Sequence, residues 1–375
     1  MQDPDTFIDN MLKANTKPSI LLEGEVPRLL DEWQVAPVLW NAVRFAVDKR
    51  QNAGQFILTG SVIPIRTDDM HTGTGRIARM KMRTMSLYET GDSTGDISLE
   101  ALFSGEREME GKSNLSIENI AFLLNRGGWP DAALKKSEKI AMTIAEDYLE
   151  AVVNEDISRA DGIEKNPDRV RSFIRSISRN ISSEARTTTI LNDLKNNDEN
   201  LSHVTIDQYT NALKRIFVIE DLPAWSAKLR SKTAIRTTAK RHFTDPSIAA
   251  ASLRATPKRL ISDFKTFGLL FESLCIRDLR IYAESIDGNV YHYRDSKNQE
   301  IDAIIQLKNG DWGAVEIKMG AGYIEEAENN LLKFKNNVDI EKMNEPSFLM
   351  ILTATDYAFQ MKSGVWVVPL GCLKN

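Results

Sequence analysis

Pro27-Arg-Leu-Leu-Asp-Glu-Trp-Gln34 and Gln55-Phe-Ile-Leu-Thr-Gly-Ser61 set the fold class of the N-terminal part of this chain. Each is a short apolar run that ends in polar residues, and Leu39–Val47 between them has helical spacing. Strand, helix and strand in that order predict a parallel α/β unit. An acidic strand end is what a nucleotide hydrolase places beside Mg²⁺: Asp31 to hold the ion through water, Glu32 to polarise the attacking water. A strand that closes on Thr59-Gly60-Ser61 is where a polar sensor of the γ-phosphate sits, which makes Ser61 a candidate. Gly75-Arg76 follows, so Arg76 or Arg79 is a candidate phosphate contact, in cis or across a subunit interface. Asp-Glu at a strand end also arises by chance, and these arginines equally fit a solvated basic loop.

The phosphate-binding loop itself is not found. The nearest string, Gly105-Glu-Arg-Glu-Met-Glu-Gly111-Lys112-Ser113, has five residues between its glycines, where the motif has four. Its interior is acidic, which repels phosphate, and no apolar strand precedes it. We expect a surface loop there and no ATP turnover by this chain.

At 375 residues the chain has the length of two or three domains. Hydrophobic residues at 42% and charged residues at 27% are those of a globular protein with ample core. A net charge of −5 gives no general attraction for nucleic acid, so any DNA contact needs a local basic patch. Cys275 and Cys372 form neither a metal spacing nor a disulfide framework. The N-terminus is unlike a signal peptide, and no apolar run approaches the roughly 20 residues that span a bilayer. The chain is expected to be cytoplasmic, without membrane contact.

Residues 90–115, rich in Gly, Ser, Asp and Glu, are expected to be an exposed connection, and a helical region over 116–160 breaks at Gly127-Gly-Trp-Pro130. Helices are predicted over Asp168–Ser178, Ser183–Leu194 and Thr205–Arg215, the last with Thr205 as its cap. Phe217–Leu222 then follows as the strand of a wing. This order suggests a winged helix-turn-helix, with Gln208, Asn211, Lys214 and Arg215 as candidate DNA contacts. The basic stretch over 228–241 (Lys228, Arg230, Lys232, Arg236, Lys240, Arg241) would meet phosphates. A winged helix used only as a packing module between domains remains the alternative. His71, His203, His242 and His292 form no metal spacing, and Trp129 and Trp225 are expected to be core anchors.

Further strands are predicted at Asn289–Arg294, Glu300–Leu307, Trp312–Lys318, Ser347–Thr353 and Val365–Pro369. Alternation puts Glu316 and Lys318 on one face of their strand, and Lys308-Asn-Gly-Asp311 turns it into a hairpin with the strand before. Asp302 and Glu316 could then meet over Mg²⁺, Lys318 could orient or activate water, and Glu272 could complete the site. Glu and Lys alternating along a strand equally describe a solvated face.

The ordered set Pro27–Gln34, Phe56–Ser61, Gly75-Arg76, Met85-Ser-Leu-Tyr-Glu89 and Gly127–Pro130 resembles a prokaryotic AAA-superfamily ATPase family. Phe243-Thr-Asp-Pro246, Phe267-Gly-Leu-Leu-Phe-Glu272, Tyr291-His-Tyr-Arg294, Glu300-Ile-Asp302 and Glu316-Ile-Lys318 continue the resemblance along the whole chain. Members have a P-loop domain, a winged helix and a C-terminal domain of uncertain function related to PD-(D/E)XK nucleases, here with Ile301 in place of the motif's proline. The resemblance implies ATP and Mg²⁺ as cofactors, Asp31 and Glu32 as the Walker B pair, and Ser61 as a sensor. Its phosphate loop would lie upstream of the segment that opens this sequence, through a misassigned start, a split gene or loss. The expected organisation is α/β and multidomain. It comprises a truncated P-loop/AAA-type α/β domain over 1–115, a helical connection over 116–165 and a winged helix over 166–225. A restriction-endonuclease-like α/β domain follows over 226–375. Three functions compete: an AAA-type ATPase relative with a nuclease-like domain, a non-catalytic DNA- or protein-binding adaptor, and an ATP-independent Mg²⁺-dependent nuclease. A homo-oligomer or a protein partner fits any of them.

Overall fold

A computed structural model of the chain describes residues 3–63, 72–195, 201–226, 238–338 and 344–375. The chain divides into two compact units. The first comprises 1–82, 155–165 and 209–217; the second comprises 83–154, 166–208 and 218–375.

In the first unit, helix α1 (Phe7–Thr16) precedes strand β1 (Arg28–Leu30), helix α2 (Val38–Arg50) and strand β2 (Phe56–Leu58). β1 and β2 pair in parallel, Leu29 opposite Ile57, as the strand–helix–strand pattern predicts. Leu22, Leu30 and Val43 form the core with Phe56 and Leu58 packed against them, so α2 covers one face of the ribbon. Leu29 and Ile57 point the other way and are 59% and 51% exposed.

The second unit is built around a seven-stranded sheet of order β4 (Gly111–Lys112), β11 (Tyr357–Gln360), β12 (Trp366–Pro369), β10 (Phe348–Thr353), β9 (Trp312–Lys318), β8 (Glu300–Leu307) and β7 (Gly288–Arg294). Residues 90–115 are not the expected exposed connection. They form β3 (Ile97–Ser98), α3 (Leu99–Ser104) and the edge strand β4 (Gly111–Lys112), with Ile97, Leu99 and Leu102 fully buried. These three apolar residues among the polar ones anchor the stretch, and β3 pairs with β13 (Leu373–Lys374). Residues 83–115, expected in the first domain, group with the second unit.

Helices α4 (Ile117–Arg126) and α5 (Glu138–Ala151) flank the Gly127–Pro130 break as expected. Next come α6 (Pro167–Arg179), α7 (Thr187–Lys195), α8 (His203–Arg215) and the antiparallel ribbon of β5 (Ile219–Leu222) and β6 (Lys240–Phe243). Three helices and a ribbon are the elements of a winged helix, but α8 begins in the second unit and ends in the first. Ser202, not Thr205, caps α8, its hydroxyl accepting the Thr205 N–H at 3.2 Å. The expected boundary at 225/226 falls inside the β5–β6 ribbon.

Helices α9 (Pro246–Ser252) and α10 (Pro257–Ser262) lead into α11 (Phe264–Ser285), capped by Asp263, whose Oδ1 accepts the Thr266 N–H at 3.2 Å. Strands β7 (Gly288–Arg294), β8 (Glu300–Leu307) and β9 (Trp312–Lys318) form an antiparallel meander. Helix α12 (Ile324–Asn337) crosses over, so β10 (Phe348–Thr353) returns parallel to β9. β11 (Tyr357–Gln360) and β12 (Trp366–Pro369) complete the sheet. α12 packs Ala327, Leu331 and Phe334 onto Ile304, Ala314 and Ile351, with Trp225 in the same core. Among the described residues no helix is long and apolar enough to cross a membrane.

Candidate functional site

The meander brings the C-terminal candidates together. Ala303 lies opposite Val315, so one step along, Asp302 faces Glu316. Alternation turns Glu316 and Lys318 to the same side. The Lys318 ammonium lies 3.3 Å from Asp302 Oδ2 and 2.7 Å from Glu316 Oε2. The Ile317 N–H donates to Asp302 Oδ2 at 2.8 Å. Asn330 of α12, which sequence reasoning missed, donates to Glu316 Oε1 at 2.7 Å and to the Glu300 carbonyl at 2.7 Å. These residues floor a cleft of about 430 Å³ that Glu300, Glu326 and Lys333 also line.

Lys240 is the second residue the sequence misassigned. It was expected to meet phosphates as part of the basic stretch over 228–241, yet β6 delivers it into the interior. Its ammonium lies 3.0 Å from Glu272 Oε1 and 3.7 Å from Asp302 Oδ1. Arg241 beside it turns toward Asp221 at 3.7 Å, while Lys228, Arg230, Lys232 and Arg236 lie outside the described residues.

Burial drives the electrostatics of this cluster. Desolvation pushes the Glu316 carboxyl up to about 7, the Asp302 charge adding to the rise and Lys318 opposing it. Burial likewise lifts Glu272 to about 7 against the pull of Lys240. Asp302 is as deeply placed, yet Lys240, Lys318 and the Ile317 N–H together hold its carboxyl below the usual range. Burial works against both ammonium charges, but the facing carboxylates keep Lys240 and Lys318 above the ordinary lysine value.

Asp302 and Glu316 suit a hard divalent cation, since one ammonium already sits between their oxygens. Glu272 does not join them as the expected third ligand, because Lys240 holds it. Among the described residues no group of three or more His, Cys, Asp and Glu side chains is arranged to hold a metal.

In the first unit, Asp31, Glu32, Thr59 and Ser61 gather at the carboxyl ends of β1 and β2. The Thr59 hydroxyl, not Ser61, donates to Asp31 Oδ1 at 2.6 Å. The Gln34 amide donates to Glu32 and lies 3.5 Å from the Ser61 hydroxyl. Arg76 does not reach this end. It pairs with Asp48 at 2.8 Å, ten residues along α2 from Val38, roughly 15 Å of helix from the strand ends. The Gly111-Lys112 string lies in β4, paired with β11, so it cannot act as a phosphate loop at a helix N-terminus.

Of the DNA candidates on α8, Gln208 and Asn211 are exposed on adjacent turns. Arg215 is engaged otherwise, donating through Nη2 to the Ile63 carbonyl at 2.8 Å. Trp225 is the core anchor expected, its ring 5.1 Å from Trp312.

Several motifs of the resemblance meet in a buried joint instead of a site. Asp245 accepts the Gly128 N–H at 2.9 Å and pairs with Arg277 at 3.0 Å. Arg277 pairs also with Asp278 at 2.7 Å, which accepts the Leu87 N–H at 3.0 Å. The Met85 N–H donates to the Gly128 carbonyl at 2.7 Å. A Cβ at Gly128 would lie 2.0 Å from the Met85 carbonyl oxygen, so only glycine fits.

Residues 117–259 match a family described as Domain of unknown function (DUF8612), and residues 267–373 match Domain of unknown function (DUF4143). The first region holds Lys240 and Asp245; the second holds Glu272, Asp302, Glu316, Lys318 and Asn330. Neither begins or ends at the expected 225/226 boundary. No curated protein and no solved structure matches the chain.

Proposed function

We propose that the second unit carries a site for divalent-cation-dependent hydrolysis of nucleic-acid phosphodiesters, in a relative of AAA-type ATPases. The observation behind this proposal is the Lys318 ammonium bridging Asp302 and Glu316 on adjacent strands at the floor of an open cleft. Asp302 and Glu316 would hold Mg²⁺, which when bound supplies Lewis-acid activation of water and phosphate. Asn330 holds Glu316 in place through one carboxylate oxygen. Lys318, the most exposed member of the cluster, orients the attacking water and draws in the anionic backbone. The order α11-β7-β8-β9-α12-β10 with these residues supports a PD-(D/E)XK, restriction-endonuclease-like domain. DUF4143 is a domain found in AAA-ATPase-associated proteins, which supports the AAA relationship.

ATP does not fit the described residues. Asp31 and Thr59 form an acidic strand end, but no glycine-rich loop stands opposite to cradle a triphosphate, so no ATP step is assigned to this chain. The second function in contention is a non-catalytic adaptor for DNA or a protein partner, favoured by the exposed Gln208 and Asn211 of α8.

With Mg²⁺ or Mn²⁺, the full chain should cleave DNA, and Glu316→Ala and Lys318→Ala should each lower the rate by about 10²-fold or more. No cleavage by the wild type, or a rate indifferent to both changes, would sink the hydrolase and leave the adaptor.

A further inference from the structure

Asp302 lies between two ammonium groups, one on each carboxylate oxygen. Oδ2 faces Lys318, which continues to Glu316; Oδ1 faces Lys240, which continues to Glu272. Two carboxylate pairs are thus each bridged by one tethered cation, and they share Asp302. The two bridges differ in their access to solvent. Lys318 is 27% exposed and lines the cleft with Asp302 and Glu316, so it can swing aside for an ion arriving from water. Lys240 is 8% exposed and Glu272 16%, and neither lines that cleft. Lys240 also enters on a strand held by its pairing to β5.

We propose that Lys240 permanently fills a second cation position, between Glu272 and Asp302, and so confines the site to one divalent cation on the Asp302–Glu316 side. The proposal rests on the metal-site assignment above and adds its stoichiometry. Displacing a buried ammonium from two carboxylates is costly, and Mg²⁺ gives up its own water reluctantly. A divalent ion therefore takes the position whose lysine can leave. Two-cation sites stabilise the attacking and the leaving oxygen with separate ions. With one ion, the second charge must come from the protein, and Lys318, displaced toward the cleft, is placed to supply it. Lys240 is here a positioning residue that acts through Glu272 and Asp302.

Mn²⁺ binding to the full chain, measured by calorimetry and electron paramagnetic resonance near neutral pH, tests this directly. Wild type should bind one ion, Lys240→Met two, and Lys240→Met combined with Glu272→Gln one again. A wild type that binds two, or a Lys240→Met protein identical to it in number and affinity, overturns the role of Lys240 while leaving the metal site standing. No binding by any of the three proteins overturns the metal site, and the assignment of Lys240 with it. If circular dichroism finds Lys240→Met unfolded, Lys240→Gln, which keeps one donor for Glu272, is held to the same outcomes.

Discussion

The two units handle an acidic pair in opposite ways. In the first, Asp31 and Glu32 follow a three-residue strand in a two-stranded ribbon with one face covered by α2 and the other carrying exposed Leu29 and Ile57. In the second, Glu316 lies within a strand of a seven-stranded sheet whose neighbour β10 is buried at all six positions. Glu316 is only 3% exposed, and its carboxyl is pushed up to about 7. Asp31 is half-buried and accepts the Thr59 hydroxyl. The penalty for a charge grows with the depth of cover, which is what raises the Glu316 carboxyl. Parallel sheets ordinarily bury both faces, so the first ribbon is the thinner scaffold for a site.

The contrast can be broken at three points. Asp245→Ala should have the largest effect, leaving Arg277 without one partner in the buried joint and destabilising the second unit by about 3–5 kcal/mol. Denaturant melts would detect it, and a change below about 1 kcal/mol would mean that the joint is not the keystone its burial implies. Glu316→Gln comes next. A raised carboxyl means that the unfolded chain releases this proton first, so stability falls as pH climbs from 4.5 to about 7. Relative to the Gln variant, wild type should lose on the order of 3 kcal/mol across that window. Parallel melting-temperature profiles with pH would mean that Glu316 is not desolvated. Thr59→Val should have the smallest effect, about 1 kcal/mol for one hydrogen bond in the first unit. A larger loss would place Asp31 in a drier setting than its half-burial indicates.

Much of the second unit was legible before folding. The strands predicted at Glu300–Leu307 and Trp312–Lys318 match β8 and β9 end to end, because a strand paired on both sides selects β-branched and apolar residues. The turn at Lys308–Asp311 set the register that opposes Asp302 to Glu316. Lys240 was not legible: in a run with Arg236 and Arg241, a lysine reads as a phosphate contact, and the pairing of β6 with β5 turns it toward Glu272 instead. Asn330 was hidden for a similar reason, since one Asn on an amphipathic helix carries no sign of what lies across from it. Residues 90–115 misled because composition averages over a segment, whereas Ile97, Leu99 and Leu102 anchor it individually.

The order of residues along the chain was thus enough to place Asp31 and Glu32 at a strand end and to bring Asp302, Glu316 and Lys318 to one hairpin. Those are local properties: period, turn chemistry and spacing act over a few residues. Which carboxylate meets which ammonium, that Thr59 and not Ser61 bonds Asp31, and that the glycine and aspartate motifs form a joint and not a site were settled by contacts between segments far apart in sequence. Such contacts are chosen by burial, and the free energy of a charge depends on its partners and on the water it has lost, neither of which is written in its neighbours along the chain.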